Sequence, residues 1–193
     1  MKQIIIGISI VATFLMACTG STDKSNETVK KDNDTTVIKP EAKAEKTTQS
    51  TVIKDVVTNY LQIKNALTND DGKAAATAGN ATVEAIGKVD ISRLTPDQKK
   101  TYGEMADDIK EMSEHIGKNA DKLEHQREHF DMLSKDVYDL VKQFGAGQSL
   151  YKDFCPMYNN KKGAIWLSET KEIHNPYLGK SMPTCGSIKE ELK

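Results

Sequence analysis

Four consecutive segments between residues 51 and 144 repeat large apolar side chains every three or four positions, and this constrains the fold more than any other feature. Ile53, Val56, Val57, Tyr60, Ile63, Ala66 and Leu67 mark the first, which Asn69-Asp70-Asp71-Gly72 stops. The second, Lys73 to Val89, is rich in Ala, with Val83, Ile86 and Val89 on one side. Gly79 and Gly87 each weaken it as a helix by about 1 kcal/mol relative to Ala. Thr95-Pro96-Asp97-Gln98 then combines an N-cap, a proline at the first helical position and the Gln of a capping box. The third helix follows with Tyr102, Met105, Ile109, Met112 and Ile116. The fourth runs from about Asp121 to Phe144 on Leu123, Phe130, Leu133, Val137, Leu140 and Phe144, and Gly145-Ala146-Gly147 ends it. Four amphipathic helices joined by short turns predict a mainly α fold, an antiparallel four-helix up-and-down bundle.

The segments on either side have a different character. After Gln148 the chain carries Tyr151, Phe154, Tyr158, Trp166 and Tyr177, with Pro156, Asn159-Asn160, Gly163, Asn175-Pro176, Gly179 and Pro183 among them. Turn residues at this density exclude a long helix and predict a small turn-rich unit over about 149–193. Within it, Ala164 to Ser168 suits a short strand, forming a β-hairpin with Tyr151 to Met157 across a turn at 159–163. A unit this small must pack on the bundle, so residues 50–193 are read as one domain.

At the other end, Met1-Lys2 and the apolar run Ile4 to Met16 form a signal-peptide core too short to span a bilayer. The run closes on Leu15-Met16-Ala17-Cys18, which resembles the bacterial lipobox. The resemblance implies cleavage after residue 17, lipidation of Cys18 and a membrane anchor. Thr19 follows where an Asp would suggest retention at the inner membrane, so the outer membrane is expected. Residues 19–49 hold six Lys against six Asp plus Glu and almost no large apolar side chains, the composition of a neutral flexible tether.

Charge narrows the function classes. Lys plus Arg total 27 against 28 Asp plus Glu, without a concentrated basic face, so no nucleic-acid partner is expected. From Glu104 to Asp139, eleven acidic residues face five basic ones, which reads as a solvated surface. There is no GxSxG elbow and no glycine-rich phosphate loop, and the chain is read as a non-enzyme.

Ligand chemistry collects near the C-terminus: Cys155-Pro156-Met157, His174-Asn175-Pro176-Tyr177, and Met182-Pro183-Thr184-Cys185-Gly186. Thiolate and thioether donors favour Cu(I), and thiolate with imidazole also suits Zn(II). The alternative is a Cys155–Cys185 disulfide with the methionines as packing, in a structural or protein-interaction lipoprotein that binds no metal. His125 and His129 lie at i, i+4 spacing with Met132 continuing the stripe. They read as a partly exposed structural pair. Were the C-terminal unit to dock on the fourth helix, His129 and Met132 would extend a site begun by Cys155 and Met157. His115 reads as a surface residue.

The strings FCPMYNNKKGAIWLS and KEIHNPYLGKSMPTCG, with VVTNYLQIKNALTNDDGKAAATAG and LEHQREHFDMLSKDVYDLVKQFG before them, resemble an uncharacterised bacterial domain family. It is found in small envelope lipoproteins or attached to periplasmic adaptor subunits of heavy-metal efflux systems. The resemblance implies copper or other soft-metal handling, an efflux adaptor as partner, and Cys155, Met157, Met182 and Cys185 as metal ligands, with His174 a more peripheral candidate.

Overall fold

The computed structural model describes residues 51–193, and the signal segment, Cys18 and the tether lie outside them. Four long helices follow in order: α1 (Lys54–Thr68), α2 (Gly72–Gly87), α3 (Pro96–Lys118) and α4 (Leu123–Phe144). Each packs chiefly on its neighbour in the chain. None of the described helices is long and apolar enough to cross a membrane. The expected mainly α architecture is the observed one.

Local chemistry sets the helix ends. Asp71 caps α2 by accepting from the Ala74 N–H at 2.9 Å. At α3 the capping box is complete: Gln98 N–H donates to Thr95 Oγ1, and Thr95 N–H donates to the Gln98 side chain. Gly79 has a reason that periodicity does not convey. A Cβ there would sit 2.9 Å from the Ser113 carbonyl oxygen, so its absence lets α2 approach α3 backbone to backbone.

β1 (Leu150–Cys155), β2 (Ala164–Ser168) and β3 (Ser187–Leu192) form an antiparallel sheet in the order β2-β1-β3. The hairpin turn contains Asn159, Asn160 and Lys161 at φ of 52°, 54° and 66°, left-handed conformations that Asn tolerates best among non-glycine residues. β3 is an addition to the expected hairpin. Its sequence SIKEEL lacks apolar alternation, and it is held by backbone pairing with β1 and by Glu190, which accepts from Tyr138 Oη and Lys142 Nζ at 2.7 Å each.

The sheet docks on α1 and α4 through buried aromatics. Tyr60 stacks on Phe130 at 5.2 Å between ring centroids, and its hydroxyl is bonded to Ser134 Oγ and receives the Leu167 N–H. Tyr177 is buried between Phe130, Tyr158 and Trp166, and its hydroxyl donates to the Ile165 carbonyl. Arg127, only 5% exposed, spans the joint. It donates to the Leu67 and Pro176 carbonyls and pairs with Asp70 and Glu124, tying the α1–α2 turn, α4 and the C-terminal unit together. Gly179, at φ 50°, lies where a Cβ would collide with this Asp70–Arg127 pair.

Candidate functional site

Cys155 ends β1 and Cys185 precedes β3, so the pairing of these two strands brings residues thirty apart together. Both cysteines are free thiols, with Sγ atoms 3.0 Å apart. Cys155 is fully buried and Cys185 half-buried.

The environment treats the two sulfurs differently. Burial works to raise the Cys155 thiol. Hydrogen bonds from the Cys185 thiol, the Met157 and Tyr158 N–H groups and the Asn175 side chain outweigh it, holding Cys155 below the ordinary thiol range. Cys185 is pushed up to about 11, first by its hydrogen bond to Cys155, then by burial and by the negative charge of its partner. The pair therefore loses its first proton as a unit, with the charge on Cys155 and the remaining proton on Cys185.

Asn175, with 0% exposure, organises this corner. Its Oδ1 accepts from the Tyr177 and Leu178 N–H groups at 2.8 and 2.9 Å, its Nδ2 donates to the Cys185 carbonyl at 2.6 Å, and its own N–H donates to the Pro183 carbonyl. The Cys185 N–H closes a turn onto the Met182 carbonyl at 3.2 Å. Asn175 carries no metal-ligand signal, but its place in Asn-Pro-Tyr marks a side chain suited to bonding the backbone two residues on.

The other expected ligands fall in three places. Met157 and Met182 are exposed, at 52% and 41%, on the turns that follow Cys155 and precede Cys185. His174 is half-exposed, and its Nε2 lies 3.5 Å from Glu172 Oε2. His129 faces α3, with its Nδ1 3.4 Å from Met112 Sδ and its ring stacked on His115 at 4.2 Å between centroids. Met132, one turn further along α4, borders an open groove of about 290 Å³ with Asp108, Met112, Lys135 and Asp136. The unit does dock on α4, through Arg127, Phe130 and Ser134. His115, expected as an ordinary surface residue, is half-buried among the other histidines, because α3 and α4 run side by side at this point.

A four-helix domain followed by a three-stranded sheet with a thiol pair at one end is thus the class of the molecule. Residues 56–149 match the model of a family described as a protein of unknown function, DUF3347. The matched span begins in the first turn of α1, takes in the other three helices and stops just before β1. No curated protein and no solved structure matches the chain.

Proposed function

We propose that this chain is an envelope lipoprotein, anchored to the outer membrane through Cys18, that binds a soft metal ion between Cys155 and Cys185 and serves in copper or heavy-metal homeostasis. Its role is binding rather than catalysis. The observation that carries the reading is the 3.0 Å approach of two free thiols, one of them held towards thiolate by backbone N–H groups. Thiolate is the form that ligates metal, and paired sulfur donors select Cu(I), with Zn(II) the alternative. Metal–sulfur bonds of about 2.3 Å require the sulfurs to part by roughly 1 Å or more. Cys185 sits on an exposed turn, whereas Cys155 is fixed in the sheet, so the movement falls to Cys185. Met157 and Met182, on the two flanking turns, supply thioethers, with His174 further out. The tether gives the site reach for delivery to a periplasmic efflux adaptor.

The same distance favours a second reading. Two thiols this close form a disulfide on loss of two protons and two electrons to an oxidant, and an oxidising envelope supplies one. Closing a loop of this length contributes on the order of 3 to 4 kcal/mol in the chain-entropy model.

The full-length chain, reduced and held without oxygen, is titrated with Cu(I) against a competing chelator. The thiol pair takes up one equivalent, and changing Cys155 and Cys185 together to Ser removes that equivalent from the total bound. Absence of stoichiometric uptake, or a number of bound Cu(I) equivalents unchanged by the double change, overturns the metal reading. Loss of the two thiols in the chain as isolated, resistant to glutathione, establishes the disulfide instead.

A further inference from the structure

Three histidines from two helices converge on the outer seam between α3 and α4. His115 comes from the last turn of α3, and His125 and His129 from the first two turns of α4. One ring nitrogen from each lies within 4.8 Å of the others, and among the described residues they are the only group of three or more His, Cys, Asp or Glu donors placed this way. The rings of His115 and His129 are parallel within 8°, while His125 meets His129 edge to face at 4.5 Å. Met112, one turn before His115, brings its thioether sulfur to 3.4 Å from His129 Nδ1.

We propose that His115, His125 and His129 form a metal site distinct from the thiol pair, with the Met112 thioether as a fourth donor, and that it takes a late first-row transition ion, copper above all.

The geometry needs little adjustment. Metal–imidazole bonds of about 2.0 to 2.1 Å require the ring nitrogens to draw together by roughly 1 Å, within reach of side-chain rotation on half-buried positions. The i, i+4 spacing of His125 and His129 provides a chelating pair on one helix face, and His115 closes it from the neighbouring helix. Donor type decides the ion. Three imidazoles suit both Zn(II) and Cu(II), but Cu(II) stands higher in the order of divalent affinities, and a thioether is a ligand copper accepts in its reduced form.

A structural role explains the cluster less well. Three imidazoles in contact repel one another once protonated, and a packing role would be filled at lower cost by apolar side chains. Glu128, with Oε2 3.6 Å from His125 Nδ1, is placed to orient that ring from the solvent side.

This inference does not rest on the thiol reading, and the test separates them. Full-length chain carrying Cys155→Ser and Cys185→Ser is stripped of metal and titrated with Cu(II) and with Zn(II) by calorimetry. One equivalent of Cu(II) binds, more tightly than Zn(II), with an electron paramagnetic resonance spectrum showing coupling to several nitrogens. Adding His115→Gln and His129→Gln lowers the affinity at least a hundredfold, while helical circular dichroism is retained. Met112→Leu leaves Cu(II) binding within about threefold and weakens Cu(I) binding about tenfold. Proton NMR of the chain without histidine changes gives an independent readout. One equivalent of Cu(II) broadens the imidazole signals of His115, His125 and His129 and spares those of His174, the remaining histidine. No stoichiometric uptake, uptake indifferent to the histidine changes, or broadening centred on His174 overturns the proposal.

Discussion

The helical bundle and the C-terminal sheet are stabilised in opposite ways. The bundle rests on local rules: amphipathic stripes, an Asp cap at α2, a capping box at α3 and short turns that set each helix against the next. The sheet unit buries Leu150, Trp166, Leu167 and Tyr177 against the bundle, and it is fixed in place by polar groups reaching out of the bundle. Arg127, Tyr60, Ser134 and Lys142 all bond to it from α1 or α4. A region whose core is shared with its neighbour is thus positioned by the buried polar groups that the neighbour supplies. The two donor clusters divide along the same line, the thiols assembled by strand pairing and the histidines by helix packing.

The largest test of this contrast is removal of the joint. Arg127→Met leaves Asp70 without its guanidinium and the Leu67 and Pro176 carbonyls without their donor. Asp70 is a third exposed, so the cost comes chiefly from the two carbonyls left without a donor, on the order of 2 to 6 kcal/mol. Denaturant melts should show the near-ultraviolet signal of Trp166 lost well before helical circular dichroism. Coincident loss of both signals, at an unchanged midpoint, would show that the sheet does not depend on this residue.

Asp153 gives a smaller effect of opposite sign. It sits in β1 with 0% exposure and no hydrogen-bond partner for either carboxylate oxygen. Burial pushes its carboxyl up to about 7, with Lys64 pulling back. The folded chain therefore holds this proton more tightly than the unfolded one. The stability this brings is full below the unfolded carboxylate range, near pH 4, and is lost as pH rises through 7. Asp153→Asn removes the loss. It should stabilise by roughly 2 to 4 kcal/mol at pH 8 and by much less at pH 4. A pH-independent gain would contradict the assignment.

The smallest expected effect falls on the locally determined side. Thr95→Ala removes the acceptor for the Gln98 N–H and should cost about 1 kcal/mol, shared equally by the helical and Trp166 signals. Unequal shifts would mean that the bundle and the sheet are coupled less tightly than their interface implies.

Much of the bundle was legible because a helix writes its buried face at a fixed period. Residues such as Tyr60, Ile63, Leu67, Ile109, Ile116, Phe130 and Leu133, each named from spacing, are fully buried. The sheet was half legible: β1 and β2 announce themselves through aromatics and a turn, whereas β3 pairs through backbone groups that carry no side-chain pattern. Arg127 and Asp153 look solvent-facing by residue type and are buried. His115 looked isolated because its partners lie ten and fourteen positions away on another helix.

By itself, then, the sequence determined the helices, their caps and the residue types able to ligate metal, since these follow from local periodicity and side-chain chemistry. Which of those residues meet was decided only by tertiary structure. Antiparallel pairing of β1 with β3 joins Cys155 to Cys185, and the seam between α3 and α4 joins His115 to His125 and His129. Both depend on contacts between distant elements, and the distance between such elements in space is not written in their separation along the chain.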